Sequence, residues 1–288
     1  MQILDGGMGG ELIKRGASSS TELWSAQALL DAPEVVRAVH QDYIDAGARL
    51  IITNSYSTIP SYLGKLGMSE RFEELTALAA RIARETADAA DAPVQVAGSL
   101  PPLSESYRAD LVPPDEEARP IYDRLVAVLA PYVDVFLCET MSCAREARVA
   151  ATAAQAGNKP IYVAWTLDEQ PGQGLRSGET IAAAYAAVAE LPLAGLLFNC
   201  TAPEAIESAL IELRGLTDLP IGAYPNLLHI PEGWTLDDAD IPSGRRDMSV
   251  DEFLGFCDRF AAAGATMLGG CCGIGPEYIA ALSARHAS

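Results

Sequence analysis

The sequence predicts an α/β protein, a single (β/α)8 TIM barrel covering residues 1–288, and three observations predict it. Short β-branched apolar runs alternate with Ala-rich stretches of helical periodicity along the chain, as repeated βα units around a parallel sheet require. The apolar runs number eight. Loops rich in proline and glycine follow the third, fifth and seventh runs (Pro101–Pro114, Asp168–Gly178 and Pro225–Gly244). In a barrel these loops share the C-terminal face, where active sites form.

The strands expected are Ile3–Asp5, Leu50–Asn54, Val94–Ser99, Val133–Glu139, Ile161–Thr166, Gly195–Cys200, Pro220–Tyr224 and Thr266–Gly270. They read as nearly continuous apolar runs, as strands covered on both faces do. Between them, Pro33–Ala46 opens on Asp31-Ala32-Pro33-Glu34, a capping acid and a first-turn proline, and stops at Gly47. Ser69–Ala90 carries Leu75, Leu78, Ala79 and Ile82 at helical spacing. Further helices are expected at Glu116–Ala130, Ser142–Ala156, Glu179–Ala189, Pro203–Leu213, Ser249–Ala263 and Pro276–Ala284. Gly47, Gly157 and Gly264 read as glycine C-caps leading into strands.

Composition bounds the function. Hydrophobic residues make up 49% and charged residues 20% of the 288, enough for a sizeable core. No apolar run approaches the roughly 20 residues of a membrane span, and Met1–Asp5 has neither the basic nor the apolar region of a signal peptide. A cytoplasmic location is expected. The net charge of −19 repels phosphate backbones, so nucleic acid is not expected as a partner; solubility is its plain reading. In a reducing compartment the six cysteines are not expected to form structural disulfides, and their chemistry lies in metal binding, catalysis or packing.

The candidate site is read from the strand ends. The first strand runs into Asp5-Gly6-Gly7-Met8-Gly9-Gly10, the fourth into Cys138-Glu139-Thr140, the sixth into Asn199-Cys200-Thr201, and the eighth into Gly269-Gly270-Cys271-Cys272-Gly273. In a barrel all four meet at one mouth. Vicinal cysteines do not easily bond to each other, and flanking glycines let the backbone turn so that both thiols face one point. With Cys200 one strand removed, three thiolates suit a tetrahedral Zn²⁺ and leave its fourth position open, the mark of a catalytic site. A substrate thiol held there is kept as the thiolate, the nucleophile of methyl transfer. Buried packing is the alternative for any cysteine, and it is the expectation for Cys138, Cys143 and Cys257.

Asp5 and Glu139 end apolar strands at the reactive face. They are read as partners for a substrate ammonium, against the alternative of helix capping. The glycines after Asp5 allow close backbone approach, and their N–H groups could take a carboxylate or, equally, a phosphate. Trp24 is a possible pocket wall, and Asn54, Ser99 and Thr166 are further strand-end candidates. His40, His229 and His286 have no partnered spacing and are not expected to be catalytic.

Taken together, Leu4–Leu12, Glu22-Leu23-Trp24-Ser25, Thr53-Asn54-Ser55-Tyr56, Val96–Ser99, Glu139-Thr140, Asn199-Cys200-Thr201, Tyr224-Pro225-Asn226 and Gly269–Gly273 resemble the homocysteine S-methyltransferase family over essentially the whole chain. The resemblance implies a zinc barrel with Cys200, Cys271 and Cys272 as metal ligands. It also implies that Asp5, Gly6 and Glu139 hold the backbone groups of homocysteine; Trp24 and Asn54 are added as substrate-contact candidates on their positions alone. The reaction implied is methyl transfer from a sulfonium donor, S-methylmethionine or S-adenosylmethionine, to the homocysteine thiolate, giving methionine. Leu227-Leu228-His229-Ile230 and Leu100-Pro101-Pro102 depart from the family's usual loops on the substrate face, so the donor is left open. The sequence carries no cobalamin or folate domain and no long extension of the betaine-using kind. Other readings are a homocysteine-activating module for a separate corrinoid protein, transfer to another thiol or a selenol, and a zinc-binding barrel without transferase activity. Oligomeric state is left open.

Overall fold

The computed structural model describes residues 1–17, 23–231, 233–235 and 248–286. Eight strands form one parallel sheet: Gln2–Ile3 (β1), Leu50–Ile52 (β2), Gln95–Leu100 (β3), Val135–Met141 (β4), Ile161–Trp165 (β5), Gly195–Asn199 (β6), Ile221–Tyr224 (β7) and Ala265–Leu268 (β8). Their order is β1-β8-β7-β6-β5-β4-β3-β2. A bridge between Leu4 and Leu50 and the bond from Asp5 N–H to the Leu50 carbonyl (3.0 Å) join the two ends, so the sheet closes on itself. The expected barrel is the observed one.

Packing divides into an inner and an outer layer, because successive side chains of a strand point to opposite faces. Leu4, Leu50, Ala97, Val135, Leu137, Ala164, Leu197, Tyr224 and Met267 fill the lumen. Their neighbours, such as Val96, Phe136, Cys138 and Phe198, face the helices and join the larger outer core. A fully buried leucine contributes about 1.5–3 kcal/mol, so the lumen is a packed plug under the mouth. The next inward positions after Leu137, Ala97 and Leu197 are Glu139, Ser99 and Asn199. The same alternation that fills the lumen therefore delivers polar groups to its top.

The helices follow the strands where periodicity placed them, with first-turn prolines at Pro33–Asp45 and Pro203–Arg214. A capping box of Ser249 and Glu252 opens Val250–Ala262. Several boundaries differ. Met8–Lys14, Ala26–Asp31 and Pro60–Gly64 are short additional helices, in stretches with too few turns to show a period. Five strands end earlier than expected, with Asp5, Thr53, Asn54, Thr166, Cys200, Gly269 and Gly270 just past the ladder, while β3 and β4 run on to Leu100 and Met141 and β7 ends at Tyr224 as expected. Gly47 and Gly264 do adopt left-handed backbone (φ 102° and 97°), but at the third helix end the left-handed residue is Asn158 (φ 51°). Gly157 is required instead by packing, since a Cβ there would lie 2.2 Å from the Phe136 ring. No helix of the described residues is long and apolar enough to cross a membrane. Glu22 of the Glu22–Ser25 motif, and residues 232 and 236–244 of the loop expected at Pro225–Gly244, lie outside the described residues.

Candidate active site

The three cysteines converge because two strand ends hang on one segment. Past the ladder, Cys200 N–H donates to the Tyr224 carbonyl (3.1 Å) and Cys271 N–H to the Pro225 carbonyl (2.8 Å), while Leu227 N–H donates to the Cys272 carbonyl (2.8 Å). Tyr224-Pro225-Asn226 thus acts as the template that sets both cysteine turns. Glycines make the fit possible on the other side: a Cβ on Gly7 would lie 2.7 Å from the Cys271 carbonyl oxygen, and one on Gly6 would lie 2.4 Å from that of Ile274.

Cys200 Sγ lies 2.9 Å from Cys271 Sγ and 3.8 Å from Cys272 Sγ, and all three sulfurs fall within 4.8 Å of one another. Among the described residues this is the one group of three Cys, His or carboxylate side chains able to hold a metal ion. A tetrahedral cation with metal–sulfur bonds of ~2.3 Å needs sulfurs about 3.8 Å apart. One edge already has that length, and the shorter one needs to open by a little under one ångström. The donor set therefore fits a thiophilic metal. The sulfurs hydrogen-bond to one another, Cys271 Sγ donating to Cys200 and Cys200 Sγ to Cys272; these contacts pull the Cys200 thiol well below its usual range, and the contact with Cys200 holds Cys271 and Cys272 above theirs.

Beside the sulfurs stand two buried carboxyls. Asp5 is 3% exposed. Its Oδ2 accepts from Ile52 N–H (2.8 Å), but its Oδ1 is buried without a hydrogen-bond partner. Glu139 Oε1 accepts from the Ser99 hydroxyl (2.5 Å) and Oε2 from the Tyr224 hydroxyl (3.4 Å). Burial pushes the Asp5 carboxyl well up and Glu139 up to about 7, and the negative Glu139 adds to the effect on Asp5. Two neighbouring buried acids, with no ion pair to either among the described residues, suit a cationic group.

The backbone around the mouth is strained. Non-glycine residues in the left-handed region are Trp24 (φ 48°), Tyr107 (68°), Thr140 (60°), Cys200 (53°) and Asn158. All but Asn158 surround the site, and such outliers persist where the surroundings over-determine them. The clamp on Thr140 is visible: Asn199 Oδ1 accepts from its N–H (2.9 Å) and Asn199 Nδ2 donates to its hydroxyl (2.8 Å).

The other sequence candidates fall as follows. Asn54 donates through Nδ2 to the Ser25 carbonyl (3.0 Å), so its observed partner is the segment bearing Trp24. The Trp24 ring meets Trp234 edge to face at 6.4 Å, and Trp234 lies 6.1 Å from Tyr107. Gly7 N–H is taken by the Ile274 carbonyl (2.9 Å) and is not free for a carboxylate. Ser99 sits on Glu139, and Thr166 supports Cys200 through its carbonyl (3.4 Å). Cys138 and Cys257 are fully buried in the wall. Cys143 is not within its helix but caps it, its sulfur accepting from Glu146 N–H (3.5 Å). His40 is buried in Pro33–Asp45 and burial lowers it to about 4. Sequence reasoning assigns no contact to Tyr107, Asn199 or Asn226, the last of which donates through Nδ2 to Cys200 Sγ (3.8 Å). Tyr107, whose hydroxyl lies 3.0 Å from Cys200 Sγ, comes from an irregular loop with no spacing signal; Asn199 and Asn226 lie inside recognised motifs, which do not by themselves say what either side chain touches.

The family model for homocysteine S-methyltransferase matches residues 2–286. The chain belongs to the homocysteine S-methyltransferase family. Among its relatives are homocysteine S-methyltransferase of Escherichia coli (32% identity over 98% of this chain and 94% of that one) and a selenocysteine methyltransferase of Astragalus bisulcatus (30% identity, 96% and 90%). The metallated form of the homocysteine methyltransferase MmuM from Escherichia coli superposes with a TM-score of 0.83 at 30% identity, covering 99% of this chain and 96% of that one. The barrel fold, the methyltransferase class and the homocysteine chemistry expected from the sequence stand with this family.

Proposed function

We propose that this homocysteine S-methyltransferase family member transfers a methyl group from a sulfonium donor, S-methylmethionine or S-adenosylmethionine, to homocysteine, with Cys200, Cys271 and Cys272 holding a zinc ion. The observation that carries the reading is the pairing of a three-sulfur cluster with an orphaned buried carboxylate oxygen, Asp5 Oδ1. A metal site alone has no use for that oxygen. A substrate with a thiol at one end and an ammonium at the other uses both.

In this reading Asp5 and Glu139 bind the ammonium and fix one end of the substrate, and Gly6 lets the backbone approach its carboxylate end. Zinc, when bound, supplies the positive charge that keeps the substrate thiol deprotonated at neutral pH. Trp24 and the aromatic residues beside it wall the side from which the donor arrives, and Asn54 holds the Trp24 segment. The substrate sulfur attacks the methyl carbon in line, the donor's carbon–sulfur bond breaks, and its electron pair stays on the donor sulfur, which becomes a neutral thioether. No base acts at the methyl carbon; the protein contributes alignment and exclusion of water. A cationic donor also suits three thiolates, whose charge exceeds that of a dication by one.

The test is direct. Purified protein should contain about one zinc per chain and form methionine from homocysteine with a sulfonium donor and no second protein. Zinc without turnover on S-methylmethionine, S-adenosylmethionine or betaine would move the assignment to a corrinoid partner or another acceptor. Selenocysteine, the acceptor named for the Astragalus relative, belongs in the same assay. No zinc in reduced protein, and no activity on adding it back, would refute the reading.

A further inference from the structure

Tyr107 is held unusually firmly for a residue in an irregular loop. Its backbone is left-handed at φ 68°, a conformation costly for an aromatic residue. The Arg176 guanidinium lies over its ring at 5.1 Å from the centroid, the Trp234 ring sits 6.1 Å away, and its hydroxyl reaches Cys200 Sγ at 3.0 Å. Arg176 is itself fixed, with a side chain only 9% exposed and Nη2 donating to Glu169 (2.6 Å). Arg176 and Glu169 come from the loop after β5 and Tyr107 from the loop after β3, so two mouth loops are joined to make this one contact.

We infer that Tyr107 is a positioning residue that tunes the Cys200 sulfur: its hydroxyl donates to the thiolate, and Arg176 strengthens that donation from the ring face. The inference rests on the zinc-thiolate reading above. A thiolate has no proton to give, so the phenol is the donor. A cation over the ring face stabilises the charge that the oxygen takes on as its proton is shared. The hydrogen bond draws electron density from one of three sulfurs. A cation held by that set is then less neutralised, and the substrate thiol gives up its proton more readily. No hydroxyl touches Cys271 or Cys272 among the described hydrogen bonds, so the three ligands are unequal and Cys200 is the weakened donor.

The experiment uses the full chain, reduced, freed of zinc and reloaded with cobalt. Wild type should develop a thiolate-to-cobalt charge-transfer band; its absence would sink the zinc reading itself and leave this inference without a basis. With that band in place, Tyr107→Phe should move it to longer wavelength, because an unbonded thiolate gives up an electron more easily. Zinc affinity, measured by chelator competition, should stay equal or tighten by up to roughly tenfold, and kcat should fall roughly tenfold, the worth of one hydrogen bond to a charged group, with KM for homocysteine little changed. Arg176→Met should shift the band in the same direction by less, and should add nothing in the Tyr107→Phe background. An unmoved band, or weakened zinc binding, would overturn the inference, since a tyrosine that merely holds its loop in place would loosen the metal when cut. Additive effects of the two substitutions would remove Arg176 from it.

Discussion

The mouth and the wall of this barrel contain the same reactive residue types, buried to nearly the same extent, and differ in what those residues face. Cys200 at the mouth is 3% exposed, Cys257 in the wall 0%. Cys200 faces two thiols and a phenol and is drawn toward the thiolate; Cys257 packs in the outer core, and burial pushes its thiol up. The acids make the same contrast. Burial raises Glu139 at the mouth and Glu146 in the wall alike, each to about 7. Yet Glu146 accepts from both the N–H (2.7 Å) and the hydroxyl (2.9 Å) of Ser142 and closes a helix start, whereas beside Glu139 the Asp5 Oδ1 is left unpaired. Neither burial nor an unpaired polar atom marks a site alone, since both ring nitrogens of His40 are also buried without a hydrogen bond; Asp5 Oδ1 marks this one because Glu139 and the three-sulfur cluster stand with it.

The largest expected effect separates the two cysteine sets. Cys272→Ala or Cys200→Ala should remove zinc and lower kcat/KM by more than about a thousandfold, because two sulfurs leave the cation an incomplete shell. Metal analysis and methionine formation measure this. Retention of stoichiometric zinc in either variant would break the contrast at its strongest point.

Next comes the orphaned oxygen. Asp5→Asn keeps the shape and the bond from Ile52 but removes the charge opposite a substrate ammonium. Such a buried charge pair is worth about 3 kcal/mol, so kcat/KM for homocysteine should drop roughly a hundredfold, carried by KM, with zinc content intact. Glu146→Gln, an acid equally buried in the wall, should leave KM unchanged. If the two variants behave alike, the mouth acids are structural.

The fold is legible in the sequence because its signal repeats: eight apolar runs alternate with eight helical stretches, each pair restating the same βα unit, and an error at one boundary costs little. Cys200, Cys271 and Cys272 are legible for a different reason, since glycine-flanked cysteines at strand ends are both rare and positioned by the barrel. Asp5 and Glu139 follow from the same positional logic. Tyr107 does not, because an irregular loop has no period and the hydroxyl-to-sulfur contact spans 93 residues of sequence. Nor does the sequence betray the template role of Tyr224-Pro225, which lies in backbone bonds rather than side chains. Asn54 illustrates the limit: its strand-end position predicts the right face but not its partner, the Ser25 carbonyl.

Acidity sharpens the comparison further. In the metal-free chain Glu139 holds its proton up to about pH 7, against an ordinary value of 4.5. At this site the folded state therefore binds more protons than the unfolded chain between those values, and the stability contributed by Glu139 is fully present below pH 4.5 and is lost as pH rises through about 7. The share of Glu139 between pH 5 and 7 is roughly 2 kcal/mol, readable from urea unfolding at the two values. Glu139→Gln should remove that share, while Glu146 and Asp5, also raised, keep part of the slope. An unchanged slope would mean that Glu139 is ionised in the fold. Methionine, which brings the ammonium without a thiol, should reverse the sign at this site: pairing favours the carboxylate, so binding should tighten as pH rises through about 7 and release protons in calorimetry.

The smallest effect tests the wall alone. Cys257 is fully buried within Val250–Ala262, and no hydrogen bond to its side chain is among the described ones. Replacing it with alanine deletes one buried sulfur and leaves a small void, which costs the lost transfer energy plus a cavity contribution, about 1 kcal/mol in total. Stability in urea should fall by that amount with the m-value unchanged, and zinc content and kcat should match wild type. Serine is the sharper probe at the same position. It nearly preserves volume but buries a hydroxyl in apolar surroundings, so it should destabilise at least as much as alanine. If serine were instead harmless, Cys257 would have a polar neighbour and the wall would resemble the mouth more closely than its packing indicates.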